Sequence, residues 1–335
     1  MEARLARIPS HSLDRTHVTS AVFGNRVPKI LSGRQILLQE KFFYGIQPRM
    51  HPSLHDEKTS GPFSVSPRHP GTRNLRLDIA YNGFSYHGWQ QQPDVRTIQG
   101  TLEQELSVLF QKPAVVHGAS RTDAGVHALG QVAHCLSDSP RPPDELRRSL
   151  NHRLPMSIQV HGISEVPADF NARKSAVGKH YRYRLWISED KPLFETMFVY
   201  WHPGVRLDIG AMQRAARHME GEHDYTSFAA NSKRPDEVKT RHVSRVRITK
   251  HERLVEIDVF GVSFLYKMVR AMSGTLLDIG KGKPLDIPRI FEARDRKASS
   301  RTLPGHGLFL VKVYYDRGEY EEAWHRPPPE TGRGF

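Results

Sequence analysis

Cysteine is almost absent. Cys135 is the single one in 335 residues, which excludes an internal disulfide framework and any zinc site built on several thiolates. Long apolar runs are missing as well. None approaches the roughly 20 residues of a membrane-spanning helix, and the opening MEARLARIPSHSLDRTHVTS has no apolar core of a secretory signal. Acids are in deficit: 49 Lys and Arg face 36 Asp and Glu, for a formal net charge of +13. That deficit points to a polyanionic partner, because basic residues that neutralise phosphates release counterions. There is no G-x-x-x-x-G-K-[ST] loop and no G-x-S-x-G elbow, so nucleotide hydrolysis and α/β-hydrolase chemistry have no support. His127 and His134 lie seven apart with no third ligand at metal spacing, so no zinc centre is expected. The lone thiol fits a reducing compartment, and the expected location is cytoplasmic. The basic first residues also keep a mitochondrial address open, with Glu2 and Asp14 counting against it.

What is present is a regular succession of strand and helix signals between two irregular ends. Residues 1–72 are basic and Pro-rich, with RQILLQEKFFYGI as their one candidate element and Met50 as an alternative start. They read as a mostly disordered extension. Next, NLRLDIA puts Leu75, Leu77 and Ile79 on one strand face. A helix from Thr97 carries Ile98, Leu102, Leu106 and Leu109 on one stripe and stops near Pro113. Ala114 to His117 reads as a strand, PPDELRRSLNHRLP as a helix, and Ile158 to Val160 as a strand. The second half repeats that order. GKHYRYRLWI is a strand, LDIGAMQRAARHMEG a helix closed by Gly221, and SRVRITKH and LVEIDVFG are paired strands. SFLYKMVRAMSGTLLDIG is a long helix, LDIPRIFEARD another, and GLFLVKVYY the last strand. The expected fold is α+β, with two ferredoxin-like halves over 73–172 and 173–318 and mixed or antiparallel sheets. One open sheet face of this kind suits RNA. Residues 319–335, with RPPPETGRGF, read as a disordered tail.

The stretch GASRTDAGVHALGQVAH holds one carboxylate, Asp123, with Arg121 two positions before it and glycines on both sides. Gly118 and Gly125 permit positive φ or close approach of a ligand. The residues by themselves leave Asp123 open between a nucleophile or base and the commoner turn residue that caps local N–H groups. A Ser120–Asp123–His127 triad can be drawn, but only geometry identifies such a triad. Tyr181 shares a strand face with Tyr183 and Leu185, as a core aromatic or as a ring that stacks on a base. Arg270 lies on an apolar helix stripe with Tyr266 and Gly274. It is either a surface residue with its stem along the helix, or a desolvated cation that needs a partner, for which a bidentate pair with Asp123 is suited.

Together these segments resemble the TruA family of tRNA pseudouridine synthases. GASRTDAGVHALGQVAH is similar to the family's G-x-x-R-T-D-A-G-V-H-A-x-G-Q-V segment, and ADFNARKSAVGKHYRYRLW to its F-x-A-R-x-S-A…Y-R-Y segment. YNGFSYHGWQQQPDVRTIQGTLEQEL, GEHDYTSFAA, FLYKMVRAMSGTLL and GHGLFLVKVYY match further segments in order, over residues 74–316. Asn82, Ser120, Asn171 and LPGHGL depart from the usual pattern without touching Asp123. The resemblance implies a pseudouridine-synthase core with a basic RNA-binding cleft. It implies Asp123 as nucleophile, Arg121 in the space left by a flipped nucleotide, Tyr181 stacking on uracil and taking up the C5 proton, and Arg270 pairing with the acid. The implied reaction breaks the uridine N1–C1′ bond, turns the base and rejoins it through C5, at tRNA positions 38, 39 and 40, without metal or organic cofactor. Attack at C1′, attack at C6 and a glycal route stay open. The implied partners are the anticodon stem-loop of tRNA and a second copy of the chain in a homodimer. Arg182, Arg184 and Lys267 are the further expected RNA contacts. The alternative from another class is an RNA-binding or RNA-chaperone protein on the same scaffold whose chemistry has lapsed.

Overall fold

A computed structural model describes residues 71–204, 206–230 and 238–326. Of the expected extension, only Gly71 and Thr72 fall among them. The rest of it, with RQILLQEKFFYGI and Met50, lies outside the described residues, as do residues 327–335 of the expected tail.

Period-two apolar patterning builds the first strand: β1 (Arg73–Tyr81) buries Leu75, Leu77, Ile79 and Tyr81. Helix α1 (Ile98–Phe110) starts at Thr97, whose hydroxyl accepts from the Gly100 N–H, and it buries Ile98, Leu102, Leu106 and Phe110 at helical spacing. The expected strand at Ala114–His117 is shorter and later: only β2 (His117–Gly118) pairs, along β3 (His127–Ser137). Helix α2 (Pro143–Arg153) opens on a proline with the acids Asp144 and Glu145 in its first turn, and β4 (Ile158–Val166) follows. The second half runs β5 (Gly178–Ile187), β6 (Tyr200–His202), α3 (Ile209–Arg217), β7 (Gly221–Asp224), β8 (Thr240–His251), β9 (Leu254–Gly261), α4 (Met268–Gly280), α5 (Ile287–Ala293), β10 (Leu308–Tyr314) and α6 (Arg317–His325).

Three expectations change here. Gly221 does not close α3; it sits at φ +97 and opens β7. The long helix begins at Met268 and not at Ser263, because Lys267 takes the left-handed conformation at φ 60. Tyr266 therefore lies ahead of the helix and shares no stripe with Arg270. Residues 317–325 of the chain end form α6, capped by Asp316, with Tyr320 buried against Phe260 and Tyr314.

The protein is α+β, with one large mixed sheet in the order β4-β1-β3-β10-β5-β9-β8-β7. β2 and β10 share one edge of β3, at residues 133–134 and 127–128. The β3–β10 pair is parallel and joins two otherwise antiparallel stretches of this path. The main core takes side chains from β1, β3, β5, β9 and β10 together with α1 to α4. α4 is buried along nearly its whole length, Arg270 being the exception. Among the described residues no helix is long and apolar enough to cross a membrane.

Candidate active site

The segment Ala119–Val126 runs from β2 into β3, at the parallel seam of the sheet, and it is fastened from several sides. The Gln131 amide clamps Ser120, accepting from its N–H at 3.2 Å and donating to its carbonyl at 2.7 Å. Thr122 bonds the buried Tyr81 hydroxyl at 2.8 Å, and its carbonyl accepts from the Trp89 N–H at 3.0 Å. Two glycines are needed for this seat. Gly88 lies at φ +92, and a Cβ on it would stand 2.5 Å from the Thr122 carbonyl oxygen. Gly125, at φ +77, completes a turn in which the Val126 N–H donates to the Asp123 carbonyl at 3.1 Å. Gly118 needs smallness and not positive φ, since a Cβ there would overlap the Trp89 ring at 2.5 Å.

Asp123 and Arg270 meet. The Arg270 Nη1 donates to Asp123 Oδ2 at 2.6 Å, with both side chains largely buried. The expected bidentate pair is corrected to a divided one: Arg270 Nε donates instead to the Leu303 carbonyl at 2.7 Å. The loop ahead of β10 therefore helps set the angle of the guanidinium. The same loop lies against the Asp123 segment, where a Cβ on Gly305 would stand 2.3 Å from the Ala124 carbonyl oxygen.

Tyr181 comes to this place from β5, whose Tyr181–Leu310 pairing lies next to the Phe309–His127 pairing of the seam. Its hydroxyl shares a hydrogen bond with Ser120 Oγ at 2.7 Å, and its ring meets the edge of Phe264 at 5.2 Å between centroids. Burial pushes the phenol up to about 12, against the pull of the Ser120 bond, and the Asp123 charge adds to the rise. Ser120 and His127 do not form a triad with Asp123. Ser120 bonds Tyr181, while His127 Nδ1 accepts from the Gly83 N–H at 3.1 Å and Nε2 faces the Met197 carbonyl at 2.9 Å. Arg121 is exposed on the loop surface. Lys267 lies at the turn before Arg270, with its ammonium 4.9 Å from the Tyr266 ring centroid.

Arg182 and Arg184, expected as RNA contacts, stand in ion pairs. They alternate to the sheet face opposite Tyr181, where carboxylates of β9 already hold them. Arg182 Nε donates to Asp258 Oδ1 at 2.7 Å, and Arg184 faces Glu256 at 3.3 Å with a side chain only 10% exposed. Their charge is largely neutralised inside the protein. One residue of the site escaped the sequence reading. Lys179 is buried two positions before Tyr181 on the same strand face, and its ammonium donates to the Ala119 carbonyl at 3.0 Å. Burial, with help from the Arg173 charge, lowers it to about 8. Its signal was the strand alternation itself, which places Lys179 beside Tyr181. Among the described residues no group of three or more His, Cys, Asp or Glu is placed to hold a metal ion.

This arrangement presents a carboxylate held by a cation beside a buried phenol, on a loop of fixed geometry. A family model described as tRNA pseudouridine synthase matches residues 79–173 and 215–316. The tRNA pseudouridine synthase A of Acetivibrio thermocellus is 40% identical over 245 residues, covering 72% of this chain and 100% of its own length. Those of Geobacillus kaustophilus and Solibacter usitatus are 39% identical over 248 residues and 42% over 245, covering 73% and 72% of this chain and 95% and 100% of theirs.

Proposed function

The chain belongs to the TruA family of tRNA pseudouridine synthases, and from that membership we propose that it isomerises uridine to pseudouridine in the anticodon stem-loop of tRNA, at positions 38 to 40. The observation that carries the reading is the Asp123–Arg270 pair beside Tyr181.

In this reading Asp123 is the nucleophile. The N1–C1′ bond of the target uridine breaks, the base turns, C5 joins C1′, and the C5 proton leaves as N1 gains one. The target base has to leave its stack to reach a loop this closely packed. Arg270 orients the carboxylate through a charge-assisted bond, and the Leu303 carbonyl orients Arg270. Tyr181 enters the reaction as a neutral phenol, since burial lifts it to about 12. Its oxygen can receive the C5 proton only as its own proton moves to Ser120 Oγ at 2.7 Å and the Ser120 hydroxyl proton passes on in the same relay, to water or to N1 of the turned base. Arg121, exposed on the loop, and Lys267, at the turn before Arg270, are the basic side chains that face the RNA. Two ferredoxin-like halves fit the strand path, since β4-β1-β3 with β2, and β10-β5-β9-β8, repeat one order. A homodimer fits the exposed apolar side chains Leu129, Met156 and Met197, and a purely monomeric species in sedimentation at micromolar concentration would exclude it.

Tritium release from tRNA labelled at uridine C5 tests the activity. Wild type releases tritium. Asp123→Asn binds tRNA with near-normal affinity and loses turnover by several orders of magnitude. An RNA-binding protein with lapsed chemistry releases none at all, and an Asp123→Asn rate within tenfold of wild type removes Asp123 as nucleophile.

A further inference from the structure

The loop that grips Arg270 through Leu303 has a second, outward side. There Lys281, Lys283, Lys297 and Arg301 line a cavity of about 430 Å³ together with Asp278 and Ser300. Four cations thus face one carboxylate. Asp278 pairs with Lys283 at 2.7 Å and with Lys281 at 3.8 Å. Among the described residues neither Lys297 nor Arg301 has a carboxylate partner, and the Arg301 Nη2 rests on the Tyr200 hydroxyl at 2.6 Å.

The walls are built and not merely collected. Arg296 staples the loop, donating to Ser299 Oγ at 2.9 Å, the Ser300 carbonyl at 2.8 Å and Thr302 Oγ1 at 2.7 Å. The Ser300 N–H is held by Thr275 of α4 at 3.1 Å. Like charges gathered in one cavity repel, Asp278 offsets part of that cost, and an entering anion offsets more of it. The Ser300 side chain is already bonded to Asp278, so the lysines and Arg301 are the donors, and an anion with several oxygens uses such a set best.

We infer that this cavity is a phosphate-binding site that takes a backbone phosphate of the RNA substrate, outside the nucleotide that reacts. The inference rests on tRNA being the substrate. The loop makes the link. Ser299 to Arg301 form the cavity wall, and Leu303, two residues on, bonds the arginine that holds Asp123. The site requires that RNA seated at Asp123 runs its backbone past this loop. A free phosphate or mononucleotide would use the same chemistry, so the experiment has to separate the two sources.

The full chain is used throughout. Dissociation constants for tRNA are measured over a series of salt concentrations, with kcat and KM alongside, for wild type, the double variant Lys297→Gln/Arg301→Gln, and Lys297→Glu. Lys297 is exposed and makes no ion pair among the described residues, so its charge reversal leaves the fold intact, and melting midpoints verify this. The double variant should bind tRNA about tenfold more weakly, with kcat within twofold of wild type and a salt slope shallower by about one for each phosphate no longer neutralised. Lys297→Glu should weaken binding further than a neutral replacement. Unchanged affinity and salt slope in both variants, with wild type turning over tRNA, overturns the site and leaves the proposed activity standing. Weakened binding in the variants of a wild-type chain that releases no tritium leaves the site standing and overturns the activity. Inorganic phosphate is titrated calorimetrically in parallel. Binding to wild type that the double variant loses, with tRNA affinity unaltered, assigns the cavity to free phosphate and overturns the backbone assignment.

Discussion

Arg270 spends its two ends on different acceptors, a carboxylate and a backbone carbonyl, and this division gives a sharp prediction. Lysine keeps the charge but is a point donor on a flexible stem, and it cannot reach Asp123 Oδ2 and the Leu303 carbonyl in one fixed plane. Arg270→Lys should lose a charge-assisted bond worth roughly 1.5 to 3 kcal/mol, or about ten- to two-hundredfold in kcat, with KM little changed. Single-turnover kinetics at saturating tRNA read this directly, and a rate within threefold of wild type means that Arg270 does not orient the acid. Asp123, Tyr181 and Arg270 were singled out by the family resemblance of the runs they stand in, each having a commoner structural reading on its own. The structure joins Asp123 to Arg270 and Tyr181 to Ser120 of the same loop. The acceptor at Leu303 was not legible in the sequence, because a backbone carbonyl leaves no mark on residue identity. The ion pairs of Arg182 and Arg184 were not legible for a related reason. Their partners stand directly across in β9, Asp258 opposite Arg182 and Glu256 opposite Arg184, and register is a property of two strands that one strand does not disclose.

At the scale of elements, most strands and helices were legible from periodicity, and the departures have identifiable causes. The long apolar helix lost its first turn to a left-handed Lys267, a conformation that side-chain pattern does not encode. α6 was hidden by the proline-rich run behind it, although Asp316 and Glu319 form the spacing of a capped helix start, and the Asp316 side chain accepts from the Glu319 N–H at 2.7 Å. α6 carries its own prediction. Tyr320 is 5% exposed, lies so close to Gly178 that a Cβ there would sit 2.4 Å from its ring, and donates to Ser244 Oγ at 2.8 Å. It packs with Phe260 and Tyr314, in a cluster separate from the main core that holds Tyr181. Tyr320→Ala should cost about 3 kcal/mol in denaturant unfolding, as for other large aromatic deletions, and leave the single-turnover rate within twofold. A stability loss under about 1 kcal/mol, the range of ordinary surface changes, would mean that α6 is not packed as described.

For the whole molecule the deficit of acid seen in the composition has a counterpart in how the fold treats its histidines. There are 19 of them in a chain already at +13 with histidines neutral, so proton uptake in mild acid raises an already large positive charge. Burial lowers His127 and His134 to about 4, and it lowers His180, His202 and His306 as well. His127 is 1% exposed and takes up its proton at about 4 when folded, against an ordinary value of 6.5. Between those values the unfolded chain binds more protons than the folded one. Stability is therefore fully present above pH 6.5 and falls as pH drops toward 4. For His127 alone the loss at pH 5 is roughly 2 kcal/mol. Against the upward push of burial, His180 and Arg182 hold the Asp258 carboxyl down to about 2, which adds a further loss only below the ordinary carboxylate range. The mild-acid limb thus belongs to histidine. Its consequence reaches the active site, because His127 Nδ1 accepts from the Gly83 N–H, and the Gly83 backbone lies against Val126 at the end of the Asp123 loop. A protonated His127 has no lone pair for that bond, so the loop seat and the global stability should weaken over one pH window. Urea unfolding at about pH 7 and pH 5 should show a drop of at least roughly 2 kcal/mol, and His127→Gln should flatten the slope between them while lowering the value at neutral pH. Equal stability at the two pH values, or an NMR titration that puts the His127 midpoint near the ordinary 6.5, would show that this ring is not held neutral by the fold.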